Sequence, residues 1–277
     1  MSVANNFNEE YFVNTIVKKI LNSESDIQKQ WNNPIGTKTK YFYIDELLSK
    51  DDVNKIYQAF PKNGKGFFDR NTFREKKKTS ANLGDYEKIL SEITYAFQNK
   101  KVVDLISKIL DLDMVEPDPK LYAGGLSMMF KNDYLNPHID NSHDIKRNRY
   151  RRLNLLYYVS PNWSYKNGGN FELWDENKIK PVTIVSLQNR LVVMETNKSS
   201  WHSESKVLSK NPRCCVSNYY FSQISPDGSN YFHVTSFTGR PGEHLKILLS
   251  GVDNLLRNFI SKVFKIGRGK NLINKNK

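Results

Sequence analysis

Asn136-Pro137-His138-Ile139-Asp140 sets an imidazole and a carboxylate two residues apart. On an extended segment alternate side chains share a face, so His138 and Asp140 point together while Ile139 points away. Two such groups can take adjacent positions on a metal ion. A third ligand from elsewhere would complete a facial triad of two histidines and one carboxylate, the set that leaves open positions on non-haem Fe(II). His-x-Asp alone is short enough to arise by chance, so the other histidines, at 143, 202, 233 and 244, decide its weight. His202 comes just after the apolar run 191–194 and directly follows Trp201. Eleven residues later, past a turn at Asn211-Pro212, Arg213 opens a further apolar run. In a rolled-up sheet that strand can lie beside the one carrying His202, with Arg213 facing the pocket behind the metal. A buried guanidinium needs an anion, and its planar fork suits a carboxylate. His143 is a close spare ligand, but Asp140 fits the face of His138 better, and His143 reads as loop. His233 and His244 read as ordinary polar positions.

These pieces stand in a recognisable order. His138-x-Asp140, Gly168-Gly169-Asn170-Phe171-Glu172-Leu173-Trp174, the run from Arg190 to Glu195, Trp201-His202 and Arg213 resemble the iron(II)/2-oxoglutarate-dependent dioxygenases of the prolyl 4-hydroxylase-like class. The resemblance spans roughly 121–221, and the combination is far more specific than any single piece. It implies a double-stranded β-helix, or jelly roll. It further implies Fe(II) held by His138, Asp140 and His202, and 2-oxoglutarate chelating that metal with Arg213 on its distal carboxylate. O2 would be the oxidant, with succinate and CO2 released as a C–H bond is hydroxylated. The family pattern also suggests Tyr158 as a second hydrogen bond to the distal carboxylate. Asn154, Leu156 and Tyr158 share a strand face, so Asn154 points into the same pocket, toward co-substrate or substrate. Cys215 and Ser217 continue the face of Arg213. One departure concerns the strand before the metal motif, where many relatives carry a Tyr. Here the residues are Met128-Met129-Phe130, and Phe130 has no hydroxyl. Gly168-Gly169 reads as a bulge or turn that positions Phe171. Trp163 and Trp174 suit packing and substrate contact equally.

Elements able to position these residues can be picked out from periodicity. Apolar residues at helical spacing predict helices over 7–21, from Ser49 to about 60, twice within 86–110, and over 245–264. A short strand is expected at 41–44, and 32–36 and the basic stretch Arg74 to Lys78 read as loops. Short apolar-aromatic runs at 121–130, 153–159, 170–174, 182–185, 191–195 and 216–221 predict strands of a sandwich or jelly roll. The expected class is therefore α+β, in three parts. These are an N-terminal helical support region (1–115), a β core (116–225), and a C-terminal extension with an amphipathic helix and basic tail (226–277). The C-terminal stripe suggests core or subunit packing, with peripheral contact at an anionic membrane surface as the alternative.

Composition limits the setting. A chain of 277 residues with 38% hydrophobic and 12% aromatic content is expected to fold around a sizeable core. No early apolar run of signal-peptide type and no transmembrane-length stretch is visible, and the two cysteines are adjacent, so a cytoplasmic protein is the expectation. The net charge is +13, which attracts polyanions without naming one. Lys146, Arg147, Arg149, Arg151 and Arg152 put five cations in seven residues just after the metal motif. Alternation from Asn154 turns Arg152 inward and Arg151 away. With Arg149 and Trp174, Arg152 is a candidate substrate contact at a basic mouth. The expected activity is hydroxylation of an anionic small molecule, sugar or glycan. Rival expectations are a prolyl-type protein hydroxylase with a peptide groove, and a catalytically silent β-barrel that grips nucleic acid through its charge. The complete triad with Arg213 argues against the silent module. Oligomeric state is not readable.

Overall fold

The computed structural model describes residues 8–264. Helix α1 (Glu9–Asn22) starts where Asn8 caps it, the side-chain oxygen accepting from the Tyr11 amide at 2.8 Å, and acids at 9 and 10 complement the helix N-terminus. Its buried face is Phe12, Val13, Ile16 and Ile20. Helix α2 (Glu24–Asn32) follows almost without a break and buries Ile27 and Trp31; no helix was expected there. After β1 (Tyr41–Ile44), Ser49 caps α3 (Lys50–Ala59). Helices α4 (Lys88–Gln98) and α5 (Lys100–Ile109) come after a hairpin, β2 (Phe68–Asn71) with β3 (Glu75–Ser80).

The remaining strands are β4 (Val115–Glu116), β5 (Gly125–Met129), β6 (Tyr134–Ile139), β7 (Tyr150–Tyr158), β8 (Phe171–Trp174), β9 (Pro181–Ile184), β10 (Arg190–Glu195), β11 (His202–Glu204), β12 (Arg213–Ser222) and β13 (Ser236–Phe237). Helix α6 (His244–Phe264) ends the described chain. The strands pair antiparallel in the order β1-β10-β7-β12-β5-β3-β6-β11-β8-β9. This sheet curls so that its two halves face each other, and β3 joins them by pairing with both β5 and β6.

Strand alternation then separates two kinds of interior. Leu153, Leu155 and Tyr157 of β7, with Leu191 and Val193 of β10, point outward and pack with Phe12, Trp31, Phe97 and Val102 of the helices. Each fully buried side chain of this size contributes roughly 1.5–3 kcal/mol, so the helices brace the sheet from behind. Tyr158, Cys215, Val192 and Met194 point the other way and meet Phe171, Leu173 and Ile184 of the facing half. The cavity between the halves is where the chemistry-bearing residues gather.

Two expectations need correcting. The basic stretch 74–78 is not a loop, since Glu75–Ser80 is β3, inside the sheet. It carries no apolar pattern, so periodicity misses it. Opposite charges make it tolerable there: Lys76 lies 3.6 Å from Asp133, Lys77 3.8 Å from Glu204, Lys78 3.1 Å from Asp69, and Glu75 3.0 Å from Arg70. The second correction concerns α6, whose apolar stripe faces outward rather than into a core.

Candidate active site

His138 is the penultimate residue of β6, and the register places it directly opposite His202 of β11. Asp140 lies one residue past the end of β6. The three donor atoms lie within 4.8 Å of one another, and all three residues are buried. Asp140 Oδ1 is 3.7 Å from His138 Nε2, and Oδ2 is 3.5 Å from His202 Nε2. Each imidazole is fixed from behind: Nδ1 of His138 faces the Asn136 carbonyl at 3.0 Å, and Nδ1 of His202 faces that of Ser200 at 2.9 Å. A carbonyl can only accept, so both Nδ1 atoms carry the proton and both Nε2 lone pairs aim at the common point. Phe237 stacks on His138 with centroids 5.1 Å apart. Burial, then the neighbouring His202, pushes the His138 pKa down to about 3, so the ring is neutral, as a ligand must be. Burial alone would raise the Asp140 carboxyl, but the Arg151 guanidinium beside it holds it well below the usual carboxylate range. Two neutral nitrogens and one carboxylate around an open corner fit a divalent iron.

Asp140 is also held from outside. Asn154 Nδ2 donates to Oδ2 at 2.6 Å, and Arg151 Nη1 lies 3.2 Å from the same oxygen. Arg151 is fully buried, donates to Asn141 at 3.0 Å and lies over the Tyr219 ring at 4.0 Å. Alternation turns Arg151 away from the pocket, and that expectation fails. Between Tyr220 and Phe221 of β12 the register with β7 slips, so Leu153 pairs with Tyr220 and Arg151 with Phe221. The extra residue, Arg152, breaks the period of two. Arg152 is buried near Glu195, the charge it helps balance.

Behind Glu204, and not itself among the residues that border the cavity, Arg213 is completely buried. Its guanidinium sits against Tyr158, 5.2 Å from the ring centroid, and Nη2 reaches Met129 Sδ at 2.9 Å and Ser127 Oγ at 3.5 Å. Arg213 Nε and Nη1 make no well-formed hydrogen bond, and neither does the Tyr158 hydroxyl. A buried cation whose Nε is left without a partner, beside an unbonded tyrosine hydroxyl, fits an anionic ligand end. One carboxylate is already present: Glu204 Oε1 forms an ion pair with Arg213 Nη1 at 2.5 Å, and its Oε2 lacks a hydrogen bond. Burial would raise Glu204, but Arg213 and Lys77 outweigh it and keep the carboxyl ionised. Glu204 escaped the sequence reading although the signal was there, since two residues after His202 on a strand means the same face. Lys77 was hidden by the loop reading of 74–78. Phe130, one residue past β5, packs against the outer core and does not border the cavity, so its lack of a hydroxyl does not bear on this pocket.

The cavity is bordered by His138, Asp140, His202, Asn154, Glu204 and Lys77, and by Arg70, Thr79, Ser127, Ser217 and Tyr219. Trp174, Arg149 and Arg152 do not border it. The Trp174 indole donates to Ser203 at 2.8 Å. Arg149 pairs with Asp144 and Glu116 at 2.9 and 2.8 Å, and Arg147 donates to Ser261 of α6. The basic run is therefore mostly spent on internal partners, and of its five cations only Lys146 is exposed. His143 packs on Tyr150 and takes no part in the triad. Gly168 and Gly169 have φ of +67° and +61°, and a Cβ on Gly168 would meet the Lys206 carbonyl at 2.0 Å. That turn feeds β8 and brings Phe171 beside His202.

Comparison with known proteins agrees with this geometry. Residues 124–221 match the family described as the 2OG-Fe(II) oxygenase superfamily. No curated protein matches the chain. Among solved structures, a prolyl-4-hydroxylase from Pseudomonas putida is similar at 12% identity and a TM-score of 0.52, covering 70% of this chain and 97% of that one. A prolyl 4-hydroxylase structure from Phytophthora capsici is similar at 15% identity and a TM-score of 0.52, covering 94% of this chain and 79% of that one. Likeness at such identities shows the shared jelly-roll fold. The segment that holds the triad and Arg213 thus belongs to the 2OG-Fe(II) oxygenase superfamily, and the chain is an oxygenase that uses Fe(II) and 2-oxoglutarate.

Proposed function

We propose that this oxygenase hydroxylates a polar small molecule or a sugar unit, with Fe(II) held by His138, Asp140 and His202. The bound metal and co-substrate supply the oxidising power for C–H hydroxylation. The chain's residues hold and orient. Asn154 and Arg151 fix the Asp140 carboxylate, and the Asn136 and Ser200 carbonyls fix the two imidazoles. Arg213 and Tyr158 would receive the distal carboxylate of 2-oxoglutarate. Because Glu204 is already paired with Arg213, a second carboxylate arriving there needs a second cation. Lys77, 3.8 Å from Glu204, is placed to take over that pairing.

The observation that carries the substrate class is the lining of the cavity. Thr79, Ser127, Ser217, Tyr219 and the Arg70–Glu75 pair offer hydrogen-bonding groups, beside the apolar Leu135, Leu156, Phe171 and Phe237. Hydroxyls and a charge pair next to aromatic faces suit a hydroxyl-rich ligand such as a sugar. The basic run 146–152 no longer argues for an anionic substrate, because its arginines are turned inward to partners of their own. The test starts with anaerobic binding of Fe(II) and 2-oxoglutarate. A succinate-release screen then compares neutral and anionic sugars, other polar small molecules and proline-containing peptides. Stimulation by a sugar-like compound is the expected result; stimulation by peptides alone would overturn the substrate class while leaving the oxygenase chemistry intact.

A further inference from the structure

Helix α6 is amphipathic in the opposite sense from a helix that packs on a core. Its polar side faces the protein. Asn254 brackets β13, accepting from the Phe237 amide at 2.9 Å and donating to the Phe237 carbonyl at 2.7 Å. Asn258 accepts from the Val234 amide, Arg257 donates to the Thr235 carbonyl, and Asp253 pairs with Arg74 at 2.7 Å. Ser250 and Ser261 are buried at 2% and 4% exposure.

The opposite side is apolar and open to solvent. Leu245, Leu248, Val252, Leu255, Phe259 and Val263 form a stripe, each more than half exposed, from 56% at Val263 to 77% at Leu245. Leu249, Leu256 and Phe264 widen it. Monomeric proteins rarely leave contiguous apolar patches beyond a few hundred Å², and nine such side chains along about 30 Å of helix form a surface built to be covered. The charges along the way do not interrupt it, because Lys246 pairs with Glu243 while Asp253 and Arg257 are tied inward.

We infer that α6 is a surface that seats this chain on an anionic lipid bilayer. Charge favours this occupant over a second copy. The sequence has no acid after Asp253 but, besides the inward-tied Arg257, carries Lys262, Lys265, Arg268, Lys270, Lys275 and Lys277. Two copies, each with a net charge of +13, repel, whereas anionic headgroups attract such a cluster. The apolar stripe also lacks charged or polar side chains that would set a register with a protein partner, and a lipid surface requires none. Among the described residues no helix is long and apolar enough to cross a membrane, so α6 lies in the interface plane. Its inner face also holds β13, whose Phe237 stacks on His138, so the seat is one side chain from the metal corner.

The test is co-sedimentation of the full chain with phosphatidylcholine vesicles made with and without phosphatidylserine. Binding is expected only with the anionic lipid. It should weaken by about a hundredfold or more in Leu248→Ser/Leu255→Ser/Phe259→Ser, since three large side chains leave the interface. A Phe259→Trp variant gives a reading independent of that triple substitution, because its indole emission should shift to the blue on anionic vesicles. The inference is overturned if the wild-type chain stays in the supernatant with both vesicle types, or if the indole emission does not move. Undiminished binding of the triple variant would equally overturn it, assigning the contact to the basic tail alone. A dimer seen by light scattering that the triple variant dissociates, without vesicle binding, would assign the face to a second copy instead.

Discussion

At the metal end of the pocket, both imidazoles have their Nδ1 protons committed to backbone carbonyls, and Asp140 is braced by Asn154 and Arg151. At the far end, Arg213, Tyr158 and Glu204 are as deeply buried, yet each has a polar atom with no well-formed hydrogen bond. The difference lies in what supplies the partners. The metal corner is oriented by the protein's own backbone and neighbouring side chains, so its geometry precedes any ligand. The far end gathers Arg213, Glu204 and Lys77 with several polar atoms lacking a well-formed hydrogen bond, and burying such groups costs free energy. Glu204 links the two, since it borders the cavity with the triad and pairs with Arg213 behind it, and the two ends should respond differently to substitution.

The largest effect belongs to the triad. His138→Ala, Asp140→Ala or His202→Ala should abolish both iron binding and turnover while the fold persists, because these side chains border a cavity. Iron stoichiometry together with circular dichroism checks this, and full iron loading in any of the three would break the distinction between the two ends. Next comes Arg213→Ala, which strips a buried anion of its counter-ion. A loss of roughly 2–5 kcal/mol for such a pair means about thirtyfold or more in 2-oxoglutarate affinity. Iron affinity should stay near wild type, and calorimetric titration of each ligand separates the two.

Removing the brace rather than the ligand should give an intermediate result at the metal end. Asn154→Ala is expected to weaken metal binding by about 10–100-fold, the usual cost of losing an outer-shell partner. A metal affinity equal to wild type would show that Arg151 alone holds Asp140. At the anion end, two substitutions should move in opposite directions. Lys77→Met should weaken 2-oxoglutarate binding by about tenfold and Glu204→Gln should tighten it by a similar factor, since one removes a cation and the other a competing carboxylate. If both variants bind the co-substrate like wild type, Glu204 and Lys77 are only a structural pair.

The smallest effect concerns proton linkage in the metal-free chain. His138 titrates at about 3 when folded, against about 6.5 in an unfolded chain. Between those values the unfolded state binds more protons, so stability falls as pH drops from 6.5 toward 3. The slope is at most about 1.4 kcal/mol per pH unit for one group. Urea unfolding of metal-free protein at stepped pH should show that slope, and His138→Gln should flatten it.

The helices and most strands were legible because burial imposes periodicity: Val13, Ile16 and Ile20 repeat at helical spacing, and Leu153, Leu155 and Tyr157 alternate. Strand β3 was not legible, because it is stabilised by cross-strand charge pairs rather than by an apolar face. The role of α6 was half legible. Its stripe is plain in the sequence, but which way a stripe faces depends on whether the other side finds partners, and here Asn254, Asn258 and Asp253 do.

By itself the sequence determined which candidate residues share a strand face and in what order they stand. The period of two aligns His138 with Asp140 and Asn154 with Tyr158 without further information, whereas the roles expected of His202, Tyr158 and Arg213 came from the resemblance of that order to a known family. Only the tertiary structure decided what surrounds them. The register slip opposite Phe221 turned Arg151 onto Asp140, and the pairing of β3 with both β5 and β6 brought Lys77 to Glu204. The curl of the sheet set Glu204 against Arg213. Contacts of this kind arise between elements far apart in the chain, where the local rule that sets a side chain's face carries no information about its neighbour.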